Sequence, residues 1–135
     1  MRRILDQERT DARTHSLDLY QQEIPPGGRS AKHWHMADEA VYVMSGKGHS
    51  LHWDVEAEIA EKYYARVAET PSRWDFTAGD LLYIPQNTVH QHHNDGDEPL
   101  VFVSAQNRLF KQLGYDNVVY LEDASAGRQK AAATA

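Results

Sequence analysis

Short runs of alternating apolar and polar residues recur along this chain and predict β-strands. Leu17 and Leu19, for example, are each followed by a polar or amphipathic residue, which would place the two leucines on one face of a strand. Further strands are predicted at residues 31–36, 39–44, 49–53, 73–76, 81–84, 89–93, 100–105 and 118–121, of which 100–105 is a nearly continuous apolar run that we expect to be buried on both faces. Turn-forming residues separate the runs, and we predict hairpin turns at residues 46–48 and 77–80. Many short strands with regular turns indicate an all-β sandwich or closed barrel.

The segment at residues 54–72 has a different pattern. Its apolar residues recur every four positions: Val55, Ile59, Tyr63 and Val67. Charged residues lie between them, and a four-residue spacing places side chains on one face of a helix. We therefore predict a short amphipathic helix that ends before Pro71, with a role as a lid or as a dimer contact.

Composition narrows the class of protein. The chain has 135 residues, no cysteine and a formal net charge of −6, so we expect one soluble domain without disulfides or nucleic-acid binding. No apolar run approaches membrane-spanning length, and we expect a cytoplasmic protein without a membrane partner. We predict an N-terminal arm at residues 1–14, a barrel at 15–123 and a disordered tail at 124–135.

The candidate chemistry lies on histidines and one carboxylate. His33 and His35 are two residues apart, so in a strand they point to the same side while Trp34 points to the other. Glu39 follows four residues later, and His90 begins another predicted strand. Imidazoles on one face with a nearby carboxylate are typical ligands of a divalent transition metal.

These residues fall within two motifs that resemble those of the cupin superfamily. The first motif is matched at every spacing by Gly27, His33, His35, Glu39 and Gly46. The second is matched by Gly79, Pro85, His90 and Asn94. The chain departs from the pattern at Asn87, where the family has glycine. Since asparagine often replaces glycine at a turn position with positive φ, we expect this turn to be retained.

The resemblance implies a double-stranded β-helix, the cupin jelly-roll barrel, with a metal inside one mouth, and our predicted helical insert would lie between the two motifs. It also implies four ligands, which are His33, His35, Glu39 and His90. Three imidazoles and a carboxylate suit one divalent transition metal per chain. We favour Fe(II), with Mn(II), Ni(II), Zn(II) or Cu(II) as alternatives. Glu39 could instead leave the metal and act as a catalytic base.

The histidines resemble the metal-binding set of gentisate-type ring-cleaving dioxygenases. The first hypothesis is therefore a dioxygenase that acts on a small aromatic or oxygenated acid. The alternatives are a metal-dependent isomerase, lyase or decarboxylase, and a non-catalytic module that binds a small molecule.

Four further residues are candidates for substrate binding: Arg108, Gln106, His92 and Tyr83. Gln106 and Arg108 follow the apolar run at residues 100–105, and Arg108 could clamp a carboxylate with two hydrogen bonds. His92 shares a predicted strand face with His90, and Tyr83 could line the pocket. We also predict a homodimer, because outer strands and terminal arms are suited to pairing between copies.

Overall fold

The computed structural model describes residues 1–5, 16–59, 63–114 and 118–125. Within them the strands are β1 (Arg2–Leu5), β2 (Leu17–Ile24), β3 (Lys32–Trp34), β4 (Glu39–Ser45), β5 (Lys47–Ile59), β6 (Tyr63–Val67), β7 (Ser72–Thr77), β8 (Leu81–Ile84), β9 (Thr88–Asn94), β10 (Leu100–Asn107) and β11 (Val119–Glu122), and a short helix, α1 (Leu109–Gln112), follows β10. In this part of the chain no helix is long and apolar enough to cross a membrane. Most of the predicted arm at 1–14 and of the predicted tail at 124–135 lies outside the described residues.

The strands form two antiparallel sheets. The first has the order β1-β2-β10-β4-β8, and the second has the order β11-β3-β9-β5-β6, with β7 also paired to β5. The chain passes repeatedly from one sheet to the other, and this confirms the predicted jelly roll. The turns at residues 46–48 and 77–80 are part of that alternation. They were expected to be hairpins, but they join strands of different sheets, because strand partners are set by packing across the molecule and not by turn residues.

The core lies between the sheets and follows the alternation of each strand. Its members are Ile24, Val41, Val43, Phe76, Leu82, Ile84, Leu100 and Phe102. In β4, Val41 and Val43 are buried while Tyr42 and Met44 are about half exposed. A strand with one buried and one exposed face packs its apolar residues inward at every second position, as the sequence pattern predicts.

The insert between the two motifs is a β-hairpin, so the predicted helix at residues 54–72 is wrong. Strand β5 continues to Ile59, and β6 returns beside it with Val55 opposite Val67. A spacing of four residues is also an even number, so it keeps side chains on one face of a strand as well as on one face of a helix. The pairing of β6 with β5 shows that the segment forms strands and not a helix.

The second motif is held by the side chains of two asparagines. Asn87 has a φ of 55°, the left-handed turn conformation that was predicted for it, and its Oδ1 accepts a hydrogen bond of 3.3 Å from Trp34 Nε1. Asn94 is buried, and its Nδ2 donates to the carbonyl oxygens of Ile24 and Glu98 at 2.9 and 2.7 Å. These bonds fix both ends of β9, the strand that carries His90 and His92.

Candidate metal centre

Three histidines from two neighbouring segments converge with one glutamate. One nitrogen each of His33, His35 and His90 lies within 4.8 Å of the others. Oε2 of Glu39 lies 3.2 Å from His35 Nε2 and 3.6 Å from His90 Nε2. Four donor atoms at these separations can surround one ion, since typical bonds from a transition metal to nitrogen or oxygen are about 2.0–2.2 Å.

Strand geometry explains the convergence. His33 on β3 is directly opposite His90 on β9, and His35 follows two residues later on the same side. Glu39 begins β4 in the facing sheet, where it is paired with Gln106 of β10. Trp34 alternates to the opposite side, as predicted, and contacts Asn87 there.

Backbone carbonyls set the orientation of all three imidazoles. The Nδ1 atoms of His33 and His90 lie 3.1 and 2.9 Å from the carbonyl oxygens of Ala31 and Thr88, and His35 Nδ1 lies 2.8 Å from that of Ala37. A carbonyl oxygen can only accept, so each Nδ1 carries the hydrogen and donates it. Each Nε2 therefore keeps its lone pair for a metal, an arrangement that is common around metal-binding histidines.

The electrostatics of the cluster suit a cation. Burial lowers the pKa of His33 and lowers that of His90 well below its ordinary value. Burial would raise the pKa of Glu39, but its hydrogen bond with His35, the nearby His90 and a hydrogen bond from Ser104 together lower that pKa to about 2. The cluster thus contains an anionic carboxylate beside two imidazoles, those of His33 and His90, that favour the neutral form in which histidine binds metals.

His90 gives a direct test of whether a metal fits. Its side chain is 1% exposed, and its Nε2 has no hydrogen-bond partner among the described residues. An unpaired polar atom in a protein interior is costly, and a metal ion would satisfy it. With three nitrogens and one carboxylate oxygen available, the residues fit a divalent transition metal.

The cluster lies against a cavity of about 320 Å³. The polar residues of its wall that are not in the cluster are Tyr20, Gln22, Ser30, His92, Ser104, Gln106 and Tyr120. Most of these were not singled out in the sequence. Ser104 could have been identified from the sequence, because it lies at every-second-residue spacing from Leu100 and Phe102 and therefore on the same inward face of β10. Tyr120 could not, because its position at the cavity depends on the pairing of β11 with β3.

Two of the four predicted substrate-binding residues line this cavity. Gln106 Nε2 lies 3.4 Å from His35 Nδ1. His92 is 3% exposed and stands edge-on to Phe102, with 5.0 Å between ring centroids. Its Nδ1 has no hydrogen-bond partner among the described residues, and burial lowers its pKa to about 4.

Arg108 is placed in a buried ion pair beside the cavity. Its Nε donates to Asp18 Oδ1 at 2.6 Å, and its Nη2 also contacts Asp18 and donates to the carbonyl oxygen of Leu17 at 2.8 Å. The side chain borders a smaller cavity of about 130 Å³, which shares His35 and Gln106 with the larger one. The guanidinium group of Arg108, which was expected to bind a substrate carboxylate, is therefore paired with Asp18 instead.

Tyr83 does not line the metal cavity, contrary to the sequence expectation. It is 57% exposed and alternates along β8 with the buried Leu82 and Ile84. Its hydroxyl donates to Asp38 Oδ2 at 3.1 Å on the outer face. The alternation of the strand therefore excludes Tyr83 from the interior.

Comparison with known proteins gives a family and named relatives. A family model described as Cupin matches residues 5–110. Oxalate decarboxylase OxdC of Bacillus subtilis (strain 168) is 32% identical to this chain over 96 residues, which are 70% of this chain and 21% of OxdC.

Solved structures of the same enzyme also match. The structure of Bacillus subtilis oxalate decarboxylase at pH 4.6 matches with a TM-score of 0.54 and 26% identity, over 78% of this chain and 24% of the other. A structure from a study of the Mn(II) centres of that enzyme matches with a TM-score of 0.54 and 28% identity, over the same shares. CapF bound to 3-isopropenyl-tropolone matches with a TM-score of 0.58 but 21% identity, over 78% and 28%, and supports the fold alone. The chain thus spans between a fifth and a quarter of the length of the oxalate decarboxylases.

Proposed function

This chain belongs to the cupin family, and we propose that it is a metal-dependent lyase that decarboxylates a small carboxylic acid. The observation that carries the proposal is the cluster of His33, His35, Glu39 and His90 at the wall of a small cavity. The oxalate decarboxylases among the matching proteins favour this reaction over the dioxygenase that was the first hypothesis from the sequence.

We propose Mn(II) as the metal and the four clustered residues as its ligands. The matching structure from the study of Mn(II) centres supports manganese over the iron that the sequence suggested. The three Nε2 atoms and Glu39 Oε2 would occupy four positions and leave one or two for the substrate. When bound, the ion would supply a Lewis acid that polarises a carboxylate or carbonyl oxygen.

The residues of the chain would bind and orient the acid. Ser104 and Gln106 extend from β10 into the cavity beside Glu39 and can hydrogen-bond substrate oxygens. Loss of CO2 leaves the bonding electrons on the remaining carbon, which must then take up a proton. The hydroxyl of Tyr20, which lines the same cavity, can supply it.

Reconstitution under anaerobic conditions tests the reaction. Metal-free protein would be loaded anaerobically with Mn(II) or separately with Fe(II), and CO2 release and O2 uptake would then be followed in air-saturated buffer with oxalate, 2-oxo acids, 2-hydroxy acids and gentisate. We expect CO2 release with Mn(II) and no net O2 uptake, and no release from a His90→Ala control. O2 uptake with Fe(II) and gentisate would support the dioxygenase hypothesis instead. Tight binding of one of these acids without turnover would favour a non-catalytic binding module.

We also propose that the chain forms a homodimer through β8. This strand is the last in its sheet, and Leu81 is 72% exposed on it. Tyr42, directly opposite Leu81 on β4, and Met44 extend the exposed apolar face. An edge strand with exposed apolar side chains favours pairing with another strand, and a second copy supplies an identical one.

A further inference from the structure

A second group of potential metal ligands lies on the outer face of the second sheet. His92 lines the metal cavity, so its neighbour His93 points to the opposite side of β9. His49 of β5 is directly opposite His93, and it is also directly opposite Asp75 of β7. Asp95 follows β9 and contacts His49 from the same side. One donor atom each of His49, Asp75 and Asp95 lies within 4.8 Å of the others, and we call these three residues the outer cluster.

The histidine at the centre of the outer cluster is held in place by its neighbours. The side chain of His49 is 12% exposed, and its ring is stacked parallel to that of His93 with 4.5 Å between the centroids. Its Nδ1 lies 2.5 Å from Asp95 Oδ2, and the backbone nitrogen of Asp95 donates to the carbonyl oxygen of Lys47 at 3.2 Å. Groups that are already ordered lose little conformational entropy when they bind a ligand. His49 and Asp95 are therefore preorganised for an ion, and strand pairing brings Asp75 to the same place.

A side-chain cation already lies against both carboxylates of the outer cluster. Nη2 of Arg73 is 2.9 Å from Asp75 Oδ1 and 3.8 Å from Asp95 Oδ2. These three side chains are at least 42% exposed, and an exposed ion pair contributes at most about 1 kcal/mol. The two carboxylates thus attract positive charge, and the guanidinium can be displaced at small cost. A divalent ion carries twice the charge of Arg73 and can also bind the imidazole of His49.

From this geometry we propose that the outer cluster is a second metal site, which binds Zn(II) through His49, Asp75 and Asp95. Zinc accepts imidazole nitrogen and carboxylate oxygen, and three protein ligands leave a fourth position for water. The ion takes the place of the proton between His49 and Asp95, which is released to solvent.

The outer cluster should prefer zinc to the metals considered for the cavity. Mn(II) and Fe(II) stand below Zn(II) in the general affinity order of divalent metals, so a solvent-exposed site with three ligands holds them weakly. Protein loaded with Mn(II) and then desalted should keep manganese at the cavity cluster and not here. The outer site is independent of the reaction proposed at the cavity, because the two clusters share no residue.

Calorimetric titration of metal-free protein with Zn(II) tests the site. We expect two binding steps, the tighter at the cavity cluster and the weaker at the outer cluster. Asp75→Asn and His49→Ala should each weaken the second step by at least about tenfold and leave the first unchanged. Asp75 is exposed, so its substitution tests the site even if His49→Ala disturbs the fold. Asp97→Asn is the control, because it removes an exposed carboxylate from the same loop but outside the outer cluster.

Arg73→Gln gives a result that a purely structural role of the cluster would not give. It removes the competing guanidinium but no ligand, so the affinity of the second step should rise by about threefold or more. A lower affinity in this variant would contradict the displacement of Arg73 by zinc.

The two metal sites are separated by His33→Ala, which should remove the tighter step and retain the weaker one. A single step in the wild-type protein that His33→Ala abolishes would overturn the outer site. A second step that persists unchanged in both His49→Ala and Asp75→Asn would also overturn it, because the zinc would then lie elsewhere. A single step that depends on His49 and Asp75 but not on His33 would support the outer site and contradict the cavity ligands.

Discussion

His33 and His90 lie directly opposite each other on the antiparallel strands β3 and β9, with 4.3 Å between their ring centroids. The two residues are 57 positions apart in the sequence. Cross-strand neighbours on one face of a sheet are held at short range by the backbone, so both imidazoles are oriented before any ligand arrives. Such preorganisation favours tight metal binding.

Removal of one of these histidines should abolish metal binding without unfolding the protein. In His33→Ala and His90→Ala we expect metal content near background after reconstitution, measured by elemental analysis. Mn(II) at 100 times its dissociation constant should stabilise the wild-type protein by about 2.7 kcal/mol, and the variants should show no such increase in denaturant unfolding. Tyr83→Phe is the control, because Tyr83 is exposed on the outer face of β8, away from the cavity. Unchanged metal in both variants would contradict the ligand assignment.

Glu39→Gln distinguishes a ligand from a base. An amide is nearly the same shape as a carboxylate but has no negative charge, so we expect a large loss of Mn(II) affinity by calorimetry. Retained metal together with lost CO2 release would instead indicate that Glu39 acts as the catalytic base.

The buried pair of Arg108 and Asp18 should be important for stability. Both residues are nearly inaccessible, at 2% and 6% exposure. Removal of one partner leaves an uncompensated buried charge, so Asp18→Asn should lower the free energy of unfolding by about 3–5 kcal/mol. Asp75→Asn is a matched control, because its ion pair with Arg73 is exposed and should contribute at most about 1 kcal/mol. Equal effects in urea unfolding would contradict this difference.

Gly46 should tolerate alanine less well than Gly79 does. Both have a positive φ, of 91° and 92°, so both substitutions should cost about 1–2 kcal/mol in backbone strain. A Cβ at Gly46 would also lie 3.0 Å from Leu100 Cα and from the Pro99 carbonyl oxygen, whereas nothing lies within 4 Å at Gly79. Gly46→Ala should therefore cost about 1 kcal/mol more in urea unfolding. Equal losses of unfolding free energy would show that the backbone at Pro99 and Leu100 shifts to accommodate the added methyl group.

The proposed dimer should depend on Leu81. A lysine at the centre of an apolar contact is strongly disfavoured, so Leu81→Lys should give a monomer by light scattering at micromolar concentration. Metal content should be unchanged, because Leu81 lies on the outer face. Arg73→Glu, a charge change on the exposed surface of β7 in the other sheet, should leave the dimer intact. A monomeric wild-type protein would contradict the proposal.

The sequence was sufficient to predict the jelly roll and to select the residues that cluster. The two motifs and the alternation of His33 and His35 depend on local spacing, and a strand converts such spacing directly into direction. The left-handed turn at Asn87 was predicted for the same reason. The four clustered residues lie in two separate segments, and each segment contains its own recognisable motif.

Tertiary structure decided what local spacing leaves open. The four-residue period at residues 54–72 fits either a helix or a strand, and only pairing with β5 made it a hairpin. Arg108 follows an apolar strand, but whether it meets a substrate or Asp18 depends on a residue 90 positions away. The lining of the cavity likewise depends on side chains from several strands. A sequence pattern thus determines which way a side chain points, but the assembled sheets determine what it meets.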